Sequence, residues 1–308
     1  MSIFQIPEVN APGNLELLAN QVVEGFIVGL HKSPFHGFSV EFAEHRLYNP
    51  GESTRHIDWR VYGRTNKLFT KKYEEETNLR CQIAIDCSSS MYFPQKDKNK
   101  KVQYSKIEFA SLAAASIMNL LKKQRDAFGL DLFDEEIRLH TQCKSQTSHY
   151  KLLISYLEAK LADQTPNRQT AAAAALHELA EKIHRRSLVI IFSDMFDHAH
   201  DSEELFSALQ HLKHNKHEVV LFHVMDKSHE MDFEYSNRPH LFIDLESGEN
   251  IRLQPALVKE HYQTQMKQFM NKLRQHCLQY KIDLVEADIA QGFYPILQSY
   301  MIKRNRMQ

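Results

Sequence analysis

Cys81-Gln82-Ile83-Ala84-Ile85-Asp86-Cys87-Ser88-Ser89-Ser90-Met91 is the stretch that decides the fold. It is an apolar run that ends in Asp-x-Ser-x-Ser. An unbroken apolar segment of this length, bounded by polar residues, reads as a strand buried on both faces. Asp86, Ser88 and Ser90 follow at spacings of two, which in extended backbone places them on one side, able to converge on a point. A carboxylate and two hydroxyls suit a hard divalent cation that prefers oxygen ligands and keeps several waters: Mg2+ first, with Mn2+ or Ca2+ as alternatives.

Composition bounds what such a site can serve. A chain of 308 residues with a net charge of -1 carries no global field that would favour nucleic acid or an acidic membrane surface. The four cysteines, Cys81, Cys87, Cys143 and Cys277, form no C-x-x-C pair, and read as reduced thiols rather than a disulfide framework or zinc site. The N-terminus has no basic-then-apolar signal pattern. The longest mostly apolar helix expected, Phe109 to Leu121, is too short and too rich in Ala and Ser to span a bilayer. A cytoplasmic protein without a transmembrane segment is therefore expected.

From residue 79 to 308 the pattern alternates strands and helices. Strands are expected over 81–86, 127–133, 137–141, 187–194, 218–224 and 282–287, the second and third forming a hairpin. Helices are expected near 104–123, 150–161, 171–184, 202–213, 255–280 and 294–302, with a polar hairpin between Met231 and Leu253. Such alternation builds an α/β domain with a mainly parallel sheet flanked by helices, and ligands then bind outside the carboxyl ends of the strands. Asp86 and Asp194 both fall at such ends. Residues 1–78 read instead as a small α+β extension packed on the main domain, with one amphipathic helix over 14–30 and short strands within 37–48, 57–62 and 68–73.

The candidate cation site takes Ser88 and Ser90 through their hydroxyls, with Asp86 and Asp194 acting directly or through water. A further hydroxyl is expected from another loop, Thr170 or Thr165. The competing role for Asp86 and Ser90 is simply to cap the turn after the strand. An aspartate after a buried strand also opens some phosphohydrolase sites, but those carry a second carboxylate two residues on, where this chain has Ser88. No Gly-x-Ser-x-Gly elbow, Walker loop or Gly-x-Gly-x-x-Gly is present. His198-Ala199-His200-Asp201 reads as a solvated loop in preference to a transition-metal site. The basic residues Arg46, Arg55, Arg60, Arg64, Lys71 and Lys72 are interleaved with Glu41, Glu44, Asp58 and Glu74 to Glu76, which fits ion pairing better than a nucleic-acid stripe.

Asp86-x-Ser88-x-Ser90 with Thr170 and Asp194 resembles the metal-ion-dependent adhesion site of von Willebrand factor A domains. Upstream, Gly29-Leu30-His31-Lys32-Ser33-Pro34-Phe35-His36-Gly37, Glu41-Phe42, Arg46-x-Tyr48-x-Pro50-Gly51 and Arg55-His56-Ile57-Asp58-Trp59 are similar to the bacterial family called domain of unknown function fifty-eight, found beside MoxR-type AAA+ ATPases. The resemblance runs from about residue 14 to the end. It implies a von Willebrand factor A-like (Rossmann-type) fold, an Mg2+ that bridges to an Asp or Glu of a partner, and a non-enzymatic adaptor or chaperone-like role with a MoxR-type ATPase or a client protein. Two departures stand out. Members of related aerotolerance operons often carry transmembrane helices, and the family's threonine follows a small Gly/Pro-rich turn where this chain has Asn167-Arg168-Gln169. A metal-dependent phosphohydrolase using Asp86, or a scaffold with a non-functional metal site, are the alternatives.

Overall fold

The computed structural model describes residues 14–32, 45–47, 62–64, 66–71, 79–94, 104–163, 172–195, 202–245 and 248–307. Thr165, Thr170, His198, His200, Asp201 and Trp59 lie outside the described residues, as do residues 57–61 of the strand expected over 57–62.

A six-stranded sheet organises the larger unit. Its strands, in spatial order, are β10 (Asp283–Asp288), β7 (Glu218–Met225), β6 (Leu188–Ser193), β3 (Arg80–Asp86), β4 (Ala127–Phe133) and β5 (Ile137–His140); β8 (His240–Ile243) and β9 (Asn250–Leu253) form a separate antiparallel hairpin. All neighbours are parallel except the β4–β5 hairpin at one edge. This is the α/β, mainly parallel sheet flanked by helices that the alternating pattern leads one to expect. The chain starts at β3 in the middle, builds outward through β4 and β5, then returns to add β6, β7 and β10 on the other side. The order therefore reverses between β3 and β6, and the crevice at the carboxyl ends of those two strands is where such a sheet offers a binding site.

Both faces of the sheet are covered. On one, Ala84, Val189, Ile191, Val219 and Leu221 pack into a core with α4 (Ala172–Lys182), α5 (Ser202–His214) and α6 (Pro255–Gln279). Also packed on the sheet are α2 (Lys106–Lys123) and α7 (Tyr294–Met307), while α3 (Thr147–Ala162) packs on α2 and brings His149 Nε2 within 3.0 Å of Phe128 O on β4. Helix α2 has an unusual surface: apart from Glu108, every residue from Lys106 to Leu121 is buried. A helix apolar on all sides is a core helix, and Ala110, Ala113, Ala114 and Ala115 let its neighbours approach closely. Its start is fixed by a capping box: Ser105 Oγ accepts from Glu108 N at 3.4 Å, and Glu108 Oε2 accepts from Ser105 N at 3.0 Å.

The division into units departs from the sequence expectation of an extension over 1–78. Residues 1–26 group with 79–308, and residues 27–78 form the second unit. The reason lies in α1 (Leu15–Lys32), whose Leu15, Leu18, Ala19, Val23 and Phe26 are buried. Asn20 Oδ1 accepts from Asn119 Nδ2 of α2 at 2.7 Å, and the Phe26 and Tyr294 rings meet at 5.3 Å. In the second unit, β1 (His45–Leu47) pairs antiparallel with β2 (Phe69–Lys71).

Phe192 and Phe222, on adjacent central strands, are wholly buried and stacked with centroids 4.8 Å apart. Phe192→Ala is expected to cost about 3–5 kcal/mol of stability, read as a lower urea midpoint at unchanged slope.

Candidate cation site

Asp86 is the last residue of β3, and its carboxylate is wholly buried. Oδ1 accepts the backbone N–H of Ser88 at 2.9 Å, so Asp86 does shape the turn that follows it. Oδ2 accepts the hydroxyl of Ser193, the last residue of β6, at 2.6 Å. Ser193 Oγ in turn accepts the N–H of Met195 at 2.9 Å, which leaves its single proton for Asp86. Met195 has φ 53°, a left-handed conformation disfavoured for a side chain with a Cβ, and the bond to Ser193 helps to hold it.

Ser88 is buried and Ser90 half-buried, and their hydroxyl oxygens lie 3.1 Å apart at the start of the 3-10 turn Ser89–Tyr92. Adjacent oxygen ligands of an octahedral ion at about 2.1 Å are about 3 Å apart, so this pair is spaced as two ligands of one small hard cation would be.

Asp194 follows Ser193 and is also wholly buried. Its Oδ2 accepts from the Lys106 ammonium at 2.7 Å, and the same ammonium donates to Glu230 Oε1 at 2.5 Å. Glu230 lies in the wide helical turn Lys227–Met231 beyond β7, and its Oε2 accepts the N–H of Asp226 at 2.7 Å. Asp226 is held by the Ser228 hydroxyl and the His229 ring, both at 2.7 Å.

Charge at these strand ends is unevenly satisfied. Burial, and then the nearby Asp194 carboxylate, push the Asp86 carboxyl up from 3.8 to about 7, against the hydrogen bonds from Ser193 and Ser88. For Lys106, burial works to lower the ammonium, yet Asp194 and Glu230 together raise it above its ordinary value, so it stays charged. Burial raises the Glu230 carboxyl, with Lys106 opposing. His223 on β7, also buried, is pushed down to about 4, chiefly by burial, and is a neutral imidazole.

Of the site residues expected from sequence, the structure brings Asp86, Ser88, Ser90 and Asp194 to the ends of the two central strands. Thr170 and its alternative Thr165 lie outside the described residues. Asp194, expected to act directly or through water, has its Oδ2 held by Lys106. Sequence reasoning missed Lys106, Ser193, Glu230 and His223. A usable signal existed for Lys106: Ser105-x-x-Glu108 marks a helix start, and a lysine at the first position of an all-round apolar helix has no water to reach. Among the described residues, no three His, Cys, Asp or Glu side chains are grouped to hold a metal. Among the same residues, no helix is long and apolar enough to cross a membrane.

A family model described as "Protein of unknown function DUF58" matches residues 44–272. Uncharacterized proteins of Mycobacterium bovis and Mycobacterium tuberculosis are each 24% identical over 212 residues, covering 69% of this chain and 63% of theirs. The chain thus spans less than two thirds of the length of the curated relatives it matches. Among solved structures, an aerotolerance-related membrane protein from Bacteroides fragilis is similar at 14% identity and a TM-score of 0.47, over 74% of this chain and 99% of that one. The conserved hypothetical protein BatB from Bacteroides thetaiotaomicron is similar at 15% identity and a TM-score of 0.44, over 75% and 100%.

Because the folded state holds the Asp86 proton more tightly than the unfolded chain, stability from this group is fully present below about pH 4. It is lost as pH rises toward 7. The rise from 3.8 to about 7 corresponds to about 4 kcal/mol. Asp86→Asn, which keeps the shape and removes the charge, is expected to match wild type near pH 4 and to melt higher at pH 8 in metal-free buffer. Thermal unfolding across that range checks it.

Proposed function

The chain belongs to the DUF58 family of proteins of unknown function, and from that premise and the site geometry we propose that it is a non-enzymatic, cation-dependent protein-binding module. Asp86, Ser88 and Ser90 would hold Mg2+ or Mn2+, with a hydroxyl of Thr170 or Thr165 as a further ligand and Asp194 orienting water. When bound, the ion supplies an electrophilic point for an Asp or Glu of another protein. The observation that carries the reading is the pairing of a buried, electrostatically strained carboxylate with two hydroxyls 3.1 Å apart at the switch point of the sheet.

Each residue has a separate task. Asp86 supplies the negative charge, and the Ser88 N–H and Ser193 hydroxyl fix the plane of its carboxylate. Ser88 closes the inner side of the site, while half-buried Ser90 stands at its mouth, where an outside carboxylate would arrive. The partner class is the one the family resemblance implies, a MoxR-type AAA+ ATPase or a client protein presented to it.

The phosphohydrolase alternative uses Asp86 as nucleophile. Against it stand a carboxyl that carries its proton up to about 7, and a serine where the general acid should be.

At an ion concentration ten times the dissociation constant, linkage gives about 1.4 kcal/mol of stabilisation, or a few degrees. Millimolar Mg2+ or Mn2+ at pH 8 is expected to raise the melting temperature of wild type by that amount and leave Asp86→Ala unchanged. Capture of the ATPase partner is expected to disappear in EDTA. Equal shifts in both proteins, or capture indifferent to EDTA, would overturn the reading.

A further inference from the structure

A lysine ammonium at 1% exposure survives only among opposite charges, and Lys106 has two, Asp194 at 2.7 Å and Glu230 at 2.5 Å. Its place is built in. The capping box sets the first residue of α2, and the burial of that helix from its first turn carries the lysine stem inward. Glu230 is itself steadied by the N–H of Asp226, so the ammonium does not depend on Asp194 alone. The result is a cation of the chain itself, placed on one of the two carboxylates that end the central strands.

We propose that Lys106 sets the charge of the cation site: its ammonium occupies Asp194 and leaves Asp86 as the single carboxylate for a divalent ion, which then takes its second anion from a carboxylate-bearing partner. The proposal rests on the reading that Asp86, Ser88 and Ser90 hold an ion. Two positive charges met by one carboxylate and neutral hydroxyls leave the ion with a net charge of about one, and it keeps its pull on an outside anion. Were Asp194 free, two carboxylates would neutralise the ion, which would bind the chain more tightly and attract a partner less. Calcium and magnesium sites tune affinity by the same count of charged ligands. Lys106 is on this view a specificity residue that trades affinity for the bare ion against dependence on the partner.

The experiment is Mn2+ titration of the full chain, by calorimetry and by the electron spin resonance of free Mn2+, with and without excess acetate as a stand-in for the partner carboxylate. Lys106→Met alone removes the ammonium from a buried and a largely buried carboxylate and can fail to fold, so Lys106→Met/Glu230→Gln, which takes the ammonium off Asp194 and neutralises Glu230, is the working variant. It is expected to bind Mn2+ at least about tenfold tighter than wild type. Adding Asp194→Asn should return the affinity to the wild-type range. Acetate should tighten Mn2+ binding to wild type and not to the double variant.

A natively folded double variant with an affinity within about twofold of wild type, while wild-type binding is still lost in Asp86→Asn, overturns the role of Lys106 and leaves the cation site standing. Binding by neither protein overturns both. Binding by the double variant alone supports the role of Lys106 and removes the reading that the native site takes an ion unaided.

Discussion

Two carboxylates buried side by side cannot both stay charged without a cation, and the arrangement around the central strands answers that constraint. Asp86 and Asp194 lie where the sheet reverses its strand order, out of reach of solvent. One is answered by Lys106 and the other keeps its proton to about pH 7. The two acids are therefore held differently, Asp194 by an ammonium and Asp86 by the Ser88 N–H and the Ser193 hydroxyl.

That asymmetry depends on packing some distance from the site. Helix α2 can sink into the domain because its alanines admit close neighbours, and its N-terminal residue sinks with it. A lysine that would ordinarily lie on a helix surface with its head in water is instead forced to find acids. Asp194 comes from the end of β6 and Glu230 from the turn beyond β7, so one side chain ties a helix start to two successive strand ends. The domain's interior thus decides the electrostatics of its rim.

Much of the fold was legible in the sequence because it is written locally. The runs ending at Asp86 and Asp194 are continuous and apolar, which marks central parallel strands, and the helices between them carry their own periodicity and caps. The antiparallel hairpin after Phe133 was equally plain from the charged turn Asp134-Glu135-Glu136. The grouping of α1 was not, since an apolar stripe announces a buried face without saying what covers it. The partners of Lys106 were hidden for a similar reason: they are 88 and 124 residues away, and a lysine at a helix start ordinarily faces solvent. Ser193 was read as part of a strand end, whereas its hydroxyl is the group that joins β6 to Asp86.

The hydroxyl of Ser193 has one proton and two duties, donating to Asp86 while receiving the N–H of Met195. It therefore works as a mechanical linkage. If Asp86 turned its Oδ2 toward a new neighbour, that proton would need another acceptor, and the left-handed turn at Met195 would lose the fixed oxygen that steadies it. The path of the chain leaving β6 is in this sense geared to the orientation of one carboxylate on β3. A turn of the carboxylate that ends one strand would thus be felt at Met195, two residues past the hydroxyl that ends its neighbour.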